Sequence, residues 1–146
     1  MSLFGPKANK KGLGERTEAV ITYRLLEAGY NVLKPYGDNT RYDLVIEDAD
    51  GKLWKVQCKT TWMSPDNNCI MFATASNESR IKDGRWGYSR KSYRGEIHYF
   101  AAYSPDTQKV YLVPVDHVGK AHAYLRLVEA ANGQKKGITY AVDYEL

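Results

Sequence analysis

The sequence predicts an α/β fold in which one N-terminal helix packs on a mixed, mostly antiparallel β-sheet. Two observations support this class. Apolar residues recur at helical spacing over residues 12–28, and Gly29 suits the left-handed position that ends a helix. After it, short runs of β-branched and aromatic residues alternate with turn residues, as expected for strands. The 146 residues form one predicted domain, because this length can bury a core without disulfides.

The predicted helix carries an acidic residue on its apolar side. Ile21, Leu25 and Ala28 form a stripe at helical spacing, and Glu18 lies three and seven residues before the first two. A buried, unpaired carboxylate is costly, so Glu18 requires a partner such as a metal ion or a lysine. Glu15 lies about sixty degrees away around the helix and is the alternative acid. We favour Glu18 because it shares the apolar stripe.

Strands are predicted after the helix from period-two patterns bounded by turn residues. Residues 48–51 have turn chemistry, so the strands on either side of them should form a hairpin. Segment 123–128 fits a helix or a strand, and its periodicity does not decide between them. The predicted strands are 30–34, 42–47, 53–61, 70–74, 97–103 and 110–113.

Positive charge is clustered in two segments, although the net charge of +4 is only mildly basic. Residues 1–11 hold three lysines and no acid, and we expect a flexible basic arm there. Residues 80–94 hold six basic residues against one aspartate, interleaved with aromatic rings. Such segments favour contact with nucleic acid, and a solvated loop is the alternative. The candidate contacts are Arg80, Lys82, Arg85, Trp86, Tyr88, Arg90, Lys91, Tyr93 and Arg94.

Several other classes of protein are disfavoured by the sequence. No apolar run reaches the roughly 18–20 residues that a membrane span requires, and the N-terminus does not resemble a secretory signal. We therefore expect a cytoplasmic, DNA-associated protein in which Cys58 and Cys69 are reduced thiols, with a disulfide between them as the alternative. The three histidines lack metal-ligand spacing and are interpreted as structural or surface residues: His98, His117 and His122.

The third predicted strand carries the most informative pattern. Side chains alternate along a strand, so Gln57 and Lys59 share one face. The hairpin brings Asp43 opposite this stretch, and Glu18 lies on the helix that we expect to cover it. Mg²⁺ prefers oxygen ligands, which Asp43, Gln57 and the backbone carbonyl of Cys58 could supply. A lysine beside such a metal could orient water for phosphodiester hydrolysis. Alone, a Q-x-K triplet is common, and an exposed hairpin with an incidental lysine is the alternative.

A helix glutamate, a strand aspartate and this Q-x-K triplet follow one another along the chain. The succession Gly12, Glu18, Gly29-Tyr30, Pro35, 42–45 and 56–60 resembles the PD-(D/E)XK nucleases. The likeness is greatest to small chains associated with group I introns, a group that includes a homing endonuclease. It continues through 95–97, 100–103, 110–115, 125–126 and 143–146, and so covers nearly the whole chain.

The resemblance implies a restriction-endonuclease-like fold and assigns roles to four side chains. Asp43 would be the principal ligand of Mg²⁺ or Mn²⁺, and Lys59 the catalytic lysine. Gln57 takes a place usually held by an acid, which should weaken metal affinity. Glu18 matches the helix acid of many members and would reach the metal directly or through a water. Two further departures are Tyr42 in the place of the family proline and His98 where an acid is expected.

Three functions are consistent with these residues. The leading hypothesis is a site-specific endonuclease of duplex DNA, acting as a homodimer or homotetramer because one small domain reads few base pairs. The second is a nuclease similar to archaeal Holliday-junction resolvases, which would recognise the shape of DNA. The third is a non-catalytic module that binds DNA or RNA, and the intact Asp43 and Lys59 disfavour it.

Overall fold

The computed structural model describes residues 12–146, so the predicted basic arm at 1–11 lies outside the described residues. The side chain of Arg80 is also outside the description. One helix is followed by ten strands and two short 3₁₀ helices in this range. The elements are α1 (Gly12–Glu27), β1 (Asn31–Leu33), β2 (Leu44–Glu47), β3 (Leu53–Thr60), β4 (Trp62–Met63), β5 (Cys69–Ala73), β6 (Ala75–Lys82), β7 (Arg85–Ser92), β8 (Tyr99–Ser104), β9 (Lys109–Pro114), η1 (Val115–His117), β10 (His122–Arg126) and η2 (Ala141–Tyr144).

The central sheet is mixed, which confirms the predicted fold class. It has five strands in the order β1-β2-β3-β8-β9. Strands β3 and β8 are parallel, while the other neighbours are antiparallel. A three-stranded sheet has the order β10-β5-β4, so the segment that fitted either helix or strand is a strand. No helix in the range 12–146 is both long and apolar enough to cross a membrane.

The two faces of the central sheet bury different partners. Helix α1 packs through Ile21 and Leu25 on one face, against Leu44 and Val56. On the other face, Phe100 and its neighbours pack against the three-stranded sheet. The helix therefore covers the apolar side of β2 and β3, because only that side offers side chains that can exclude water.

The end of α1 is set by a glycine cap. Gly29 has φ +100°, its N–H donates to the Leu26 carbonyl at 3.0 Å, and the Tyr30 N–H donates to the Leu25 carbonyl at 3.1 Å. This pair of bonds is a Schellman motif, which requires a left-handed residue. The buried stripe of the helix is Thr17, Ile21 and Leu25, whereas Ala28 lies past the helix and is exposed. The predicted place of Ala28 in the stripe was therefore wrong.

Residues 75–92 form a hairpin of two eight-residue strands, β6 and β7. The turn consists of Asp83 and Gly84, both with positive φ (52° and 72°), as a type I′ turn demands. The sequence pattern did not predict these strands because neither face of the hairpin is apolar. The Asp-Gly dipeptide is the feature from which the hairpin could have been predicted.

Candidate active site

Asp43 is fixed at the point where the chain enters β2. Its Oδ2 accepts a hydrogen bond of 2.9 Å from the backbone N–H of Cys58. Its own N–H donates to the Val56 carbonyl at 2.9 Å. The ladder pairs Leu44 with Val56, so Asp43 lies beside Gln57 as the hairpin pattern predicts. The carboxylate is therefore held against the backbone of the strand that carries the Q-x-K triplet.

Glu18 approaches Asp43 from the helix. Its Oε1 forms an ion pair of 2.9 Å with the ammonium of Lys34, at the end of β1. Glu15 is exposed and is not among the lining residues of the cleft where Glu18 and Asp43 meet, which favours Glu18 as the helix acid. This cleft has a volume of about 160 Å³ and is lined by Glu18, Lys34, Pro35, Gly37, Asp38, Thr40, Tyr42 and Asp43.

The helix does not cover the face of β3 that carries Gln57 and Lys59. It packs on the opposite face, where Val56 is buried and the hydroxyl of Thr60 is 2.7 Å from that of Thr17. Side chains alternate along a strand, so the apolar stripe of the helix can only meet the Val56 side. Our expectation that the helix covers the Q-x-K face was therefore wrong. Glu18 therefore belongs to the element on the Val56 side of the sheet, whereas Lys59 projects from the opposite face of β3.

Lys59 extends toward a buried aromatic ring. Its Nζ lies 3.5 Å from the hydroxyl of Tyr93 and 4.9 Å from the centroid of that ring. It is also close enough to Asp43 to lower the pKa of that carboxyl. Gln57 is half-buried on the same face of β3, paired in the parallel ladder with Phe100. The structure thus gathers Glu18, Asp43 and Lys34 in one cleft, while Lys59 lies against Tyr93 near enough for its charge to influence Asp43.

The pKa of Asp43 is raised above the ordinary aspartate value. Burial is the main cause, and the nearby charge of Glu18 acts in the same direction. The hydrogen bond from Cys58 and the charges of Lys59 and Lys34 lower it, but only in part. Burial thus disfavours the charged form of Asp43, and a cation bound beside the carboxylate would favour it.

The donor atoms of the cleft fit a hard divalent cation. No group of three or more His, Cys, Asp or Glu side chains suited to a metal occurs among residues 12–146. The Glu18 and Asp43 carboxylates that line the cleft are oxygen donors of the kind that Mg²⁺ prefers.

The cysteines and histidines have structural environments. Cys58 and Cys69 are both free thiols, and burial raises the pKa of Cys58. His98 accepts the Lys55 N–H on Nδ1 at 2.9 Å, while its own N–H donates to the Lys55 carbonyl. In place of the expected acid, His98 therefore ties the start of β8 to β3. His117 lies 2.9 Å from the Tyr144 hydroxyl, and the ring of His122 meets Trp62 edge-on.

Most of the predicted DNA contacts lie on the β6–β7 hairpin or just after it. Tyr93 differs, because its side chain is only 5% exposed and packs in the core. A buried ring cannot stack on a base, so the prediction of Tyr93 as a DNA contact was wrong. The ammonium of Lys91 is near Glu96 (3.3 Å) and Glu78 (3.6 Å). The predicted contacts that the structure exposes are Lys82, Arg85, Trp86, Tyr88, Arg90, Lys91 and Arg94.

Two residues of this region were not predicted from the sequence. Lys34 pairs with Glu18. The sequence indicated that Glu18 needs a cationic partner, but it did not indicate which residue supplies it. Arg41 contacts the ring of Tyr93 and the root of the hairpin, two residues before Asp43. Its contacts join segments distant in the sequence, and no local pattern predicts them.

A mixed sheet with an N-terminal helix, in which a helix glutamate and a strand aspartate meet near a lysine, defines a restriction-endonuclease-like nuclease. The chain belongs to the PD-(D/E)XK endonuclease family, whose model matches residues 8–146. A solved bacterial homing endonuclease, I-Ssp6803I, is 30% identical with a TM-score of 0.68, over 94% of this chain and 89% of that chain. No curated protein matches. The chain is thus an endonuclease acting on DNA, in a family that generally uses divalent metal ions.

Proposed function

We propose that this protein is a site-specific endonuclease that cleaves duplex DNA in the presence of Mg²⁺ or Mn²⁺, as homing endonucleases do. The observation that carries the proposal is the Asp43 carboxylate, bonded to the Cys58 N–H in a cleft shared with Glu18. The positive charge of the Lys59 ammonium favours the ionised form of the same carboxylate and so lowers its pKa. Similarity to a bacterial homing endonuclease over 94% of the chain supports the same conclusion.

Asp43 and Glu18 would hold the metal ion, together with the Gln57 amide oxygen and the Cys58 carbonyl. When bound, Mg²⁺ supplies polarisation of the phosphate and a more acidic water. Asp43 is oriented for this task before the metal arrives, because the Cys58 N–H fixes one of its oxygens. Lys34 balances the charge of Glu18 at the rim of the cleft.

Lys59 would act on the substrate directly. Its ammonium is a donor on a flexible stem, and it can orient the attacking water or balance charge that develops on the phosphate. In the structure, the Lys59 Nζ lies 3.5 Å from the hydroxyl of Tyr93. Among residues 12–146, no carboxylate lies within ion-pair distance of Lys59. The ammonium therefore keeps its capacity to interact with an anionic substrate.

The β6–β7 hairpin would bind the DNA. A two-stranded ribbon fits the major groove, and cations along it neutralise phosphates. Trp86 and Tyr88 are 77% and 86% exposed, so they can contact sugars and bases. Because one ribbon reads few base pairs, a long site requires symmetric copies, and we propose a homodimer or homotetramer.

Cleavage of plasmid and linear duplex DNA tests the proposal. The wild-type protein should cut in Mg²⁺ or Mn²⁺, while Asp43→Asn and Lys59→Ala should remove cleavage and leave DNA binding largely intact. Exposed Asp106→Asn is the matched control for the aspartate change and should cut normally. If both site variants still cleave, the assigned site is wrong.

The same assay separates the alternative substrates. A mixture of four-way junction and linear duplex of the same sequence would be offered to the enzyme. Preference for the junction contradicts site-specific cleavage of duplex DNA and favours a resolvase. Tight, salt-sensitive binding with no cleavage in any divalent metal would favour a non-catalytic binding module.

A further inference from the structure

The ring of Tyr93 lies between the proposed lysine and the DNA-binding hairpin. Two cations approach this ring: the Lys59 Nζ at 4.9 Å from its centroid and the Arg41 guanidinium carbon at 3.9 Å. Both distances are within the range of a cation–π contact. The ring is 5% exposed and meets Phe100 edge-on at 5.6 Å, so the core supports one edge of it. Tyr93 therefore offers an ordered ring against which a flexible lysine can rest.

Arg41 joins this platform to the open end of the hairpin. Its guanidinium donates to the Ser76 hydroxyl at 2.6 Å on β6, and to the carbonyls of Ser92 (3.2 Å) and Lys91 (3.3 Å) on β7. It also pairs with the carboxylate of Glu96. Ser76 and Lys91 are directly opposite in the hairpin ladder, so one side chain bridges both strands at their root. The five donors of a guanidinium make such a junction possible, whereas an ammonium cannot span it.

The sequence positions of these residues connect the two halves of the proposed machinery. Arg41 lies two residues before Asp43, and Tyr93 directly follows β7, the strand that carries Trp86 and Tyr88. A displacement of the hairpin root would move Tyr93 and Arg41 together. The Lys59 ammonium, which contacts Tyr93, would lose its support beside Asp43.

We propose that Tyr93 is a positioning residue that holds the Lys59 ammonium for cleavage, and that Arg41 locks Tyr93 to the root of the β6–β7 hairpin. This inference rests on the proposed nuclease function, because it assigns no chemistry of its own. It couples the seating of the hairpin on DNA to the position of the lysine. Both residues would act through Lys59.

Single-turnover cleavage at saturating enzyme, measured together with DNA affinity in Ca²⁺, tests the proposal. Tyr93→Leu should slow cleavage about tenfold, since loss of one desolvated cation–π contact has that order of effect on a rate. Tyr93→Phe keeps the ring and should recover most of the lost rate. The Kd for duplex DNA should change less than about twofold in both variants. If Tyr93 had a purely structural role, Tyr93→Leu would reduce DNA affinity and thermal stability in proportion to the cleavage rate. In that case no variant would change the rate while leaving affinity and stability intact.

A spectroscopic measurement in the free protein removes the dependence on activity. The ε-methylene of Lys59, observed in protein labelled with ¹³C-lysine and assigned through Lys59→Arg, should show an upfield shift caused by the Tyr93 ring. The shift should persist in Tyr93→Phe, shrink in Arg41→Lys and vanish in Tyr93→Leu. Lys52, whose Nζ lies 4.0 Å from the centroid of the Trp54 ring, is an internal control that these variants should leave unchanged.

The outcomes separate the two proposals. If wild type cleaves and Tyr93→Leu cleaves equally fast, the positioning role is overturned while the nuclease function stands. An unshifted Lys59 in the wild-type protein overturns the role as well. If wild type cleaves no DNA in Mg²⁺ or Mn²⁺, the nuclease function fails and the positioning role fails with it. Should Tyr93→Leu not fold, Arg41→Lys and Tyr93→Phe still give the rate and the shift.

Discussion

The carboxylate of Asp43 accepts a 2.9 Å hydrogen bond from the backbone N–H of Cys58, the residue between Gln57 and Lys59. Because a backbone N–H cannot rotate away, this bond orients the aspartate relative to β3. The bond is made in the hairpin register in which Leu44 opposes Val56. A shift of one residue would exchange the faces of the strand and separate Asp43 from Lys59.

Asp43→Asn should stabilise the protein while it removes cleavage. Burial raises the pKa of Asp43, so its stability contribution falls as pH rises from the ordinary aspartate value of about 3.9 and stays reduced at neutral pH. Asparagine keeps an acceptor for the Cys58 N–H and removes the charge. We expect a higher Tm at pH 7 and a cleavage loss of about a thousandfold. An unchanged or lower Tm would contradict the desolvation cost inferred for the Asp43 carboxylate.

Gln57→Glu should increase metal affinity. The added charge lies beside Asp43, and a second carboxylate near a divalent ion strengthens binding by about tenfold or more. Calorimetric titration with Mn²⁺ in the absence of DNA measures the effect, with Gln108→Glu, far along the chain on a turn, as the matched control. Equal affinities of Gln57→Glu and wild type would exclude Gln57 from the metal site.

Two glycine substitutions in one helical region should have opposite signs. Gly29→Ala places a side chain at φ +100° and should cost about 1 kcal/mol of unfolding free energy. Gly14→Ala, within α1 and with no neighbour from residues 12–146 within 4 Å of an added Cβ, should stabilise by about 0.5 kcal/mol because alanine favours the helix. Urea unfolding measures both. If Gly14→Ala lowered the free energy of unfolding, the expectation that the helix accepts a side chain at this position would be wrong.

Lys82→Ala and Trp86→Ala should affect DNA binding differently. Loss of a phosphate contact reduces the salt dependence of log K by about one unit per cation. Loss of an exposed ring weakens binding by about 1–3 kcal/mol without changing that slope. Affinity measured over a series of salt concentrations distinguishes them, with Lys120→Ala outside the hairpin as the control. Identical slopes for Lys82→Ala and wild type would place Lys82 away from the phosphates.

The root of the hairpin should loosen in acid. The Arg41 guanidinium and then the Lys91 ammonium lower the pKa of Glu96, so its contribution to stability is present above the ordinary glutamate pKa of about 4.3. It is lost as pH falls through the lowered value. Glu96→Gln should therefore be less stable than wild type at pH 7 and nearly equal in strong acid. Denaturant midpoints across pH test this, and Glu78→Gln, whose carboxylate lies 3.6 Å from the Lys91 ammonium, should show a smaller difference.

Local pattern predicted the helix, its glycine end and most strands, because each depends on residues near in the sequence. Period-two alternation correctly placed Gln57 and Lys59 on one face, and turn residues placed Asp43 opposite them. The hairpin of residues 75–92 was missed since polar strands lack an apolar period, and the Asp83-Gly84 turn alone marks it.

The sequence by itself determined which residues could perform the chemistry, since their types and strand spacing are local properties. Only the tertiary structure decided from which side each one approaches Asp43. The apolar stripe of α1 packs on the Val56 side of β3. The opposite face, from which Lys59 projects, therefore faces the cluster that contains Tyr93. Burial likewise converted Tyr93 from a predicted surface ring into a support inside the core. These outcomes depend on long-range packing, in which apolar surfaces select their partners across the whole chain.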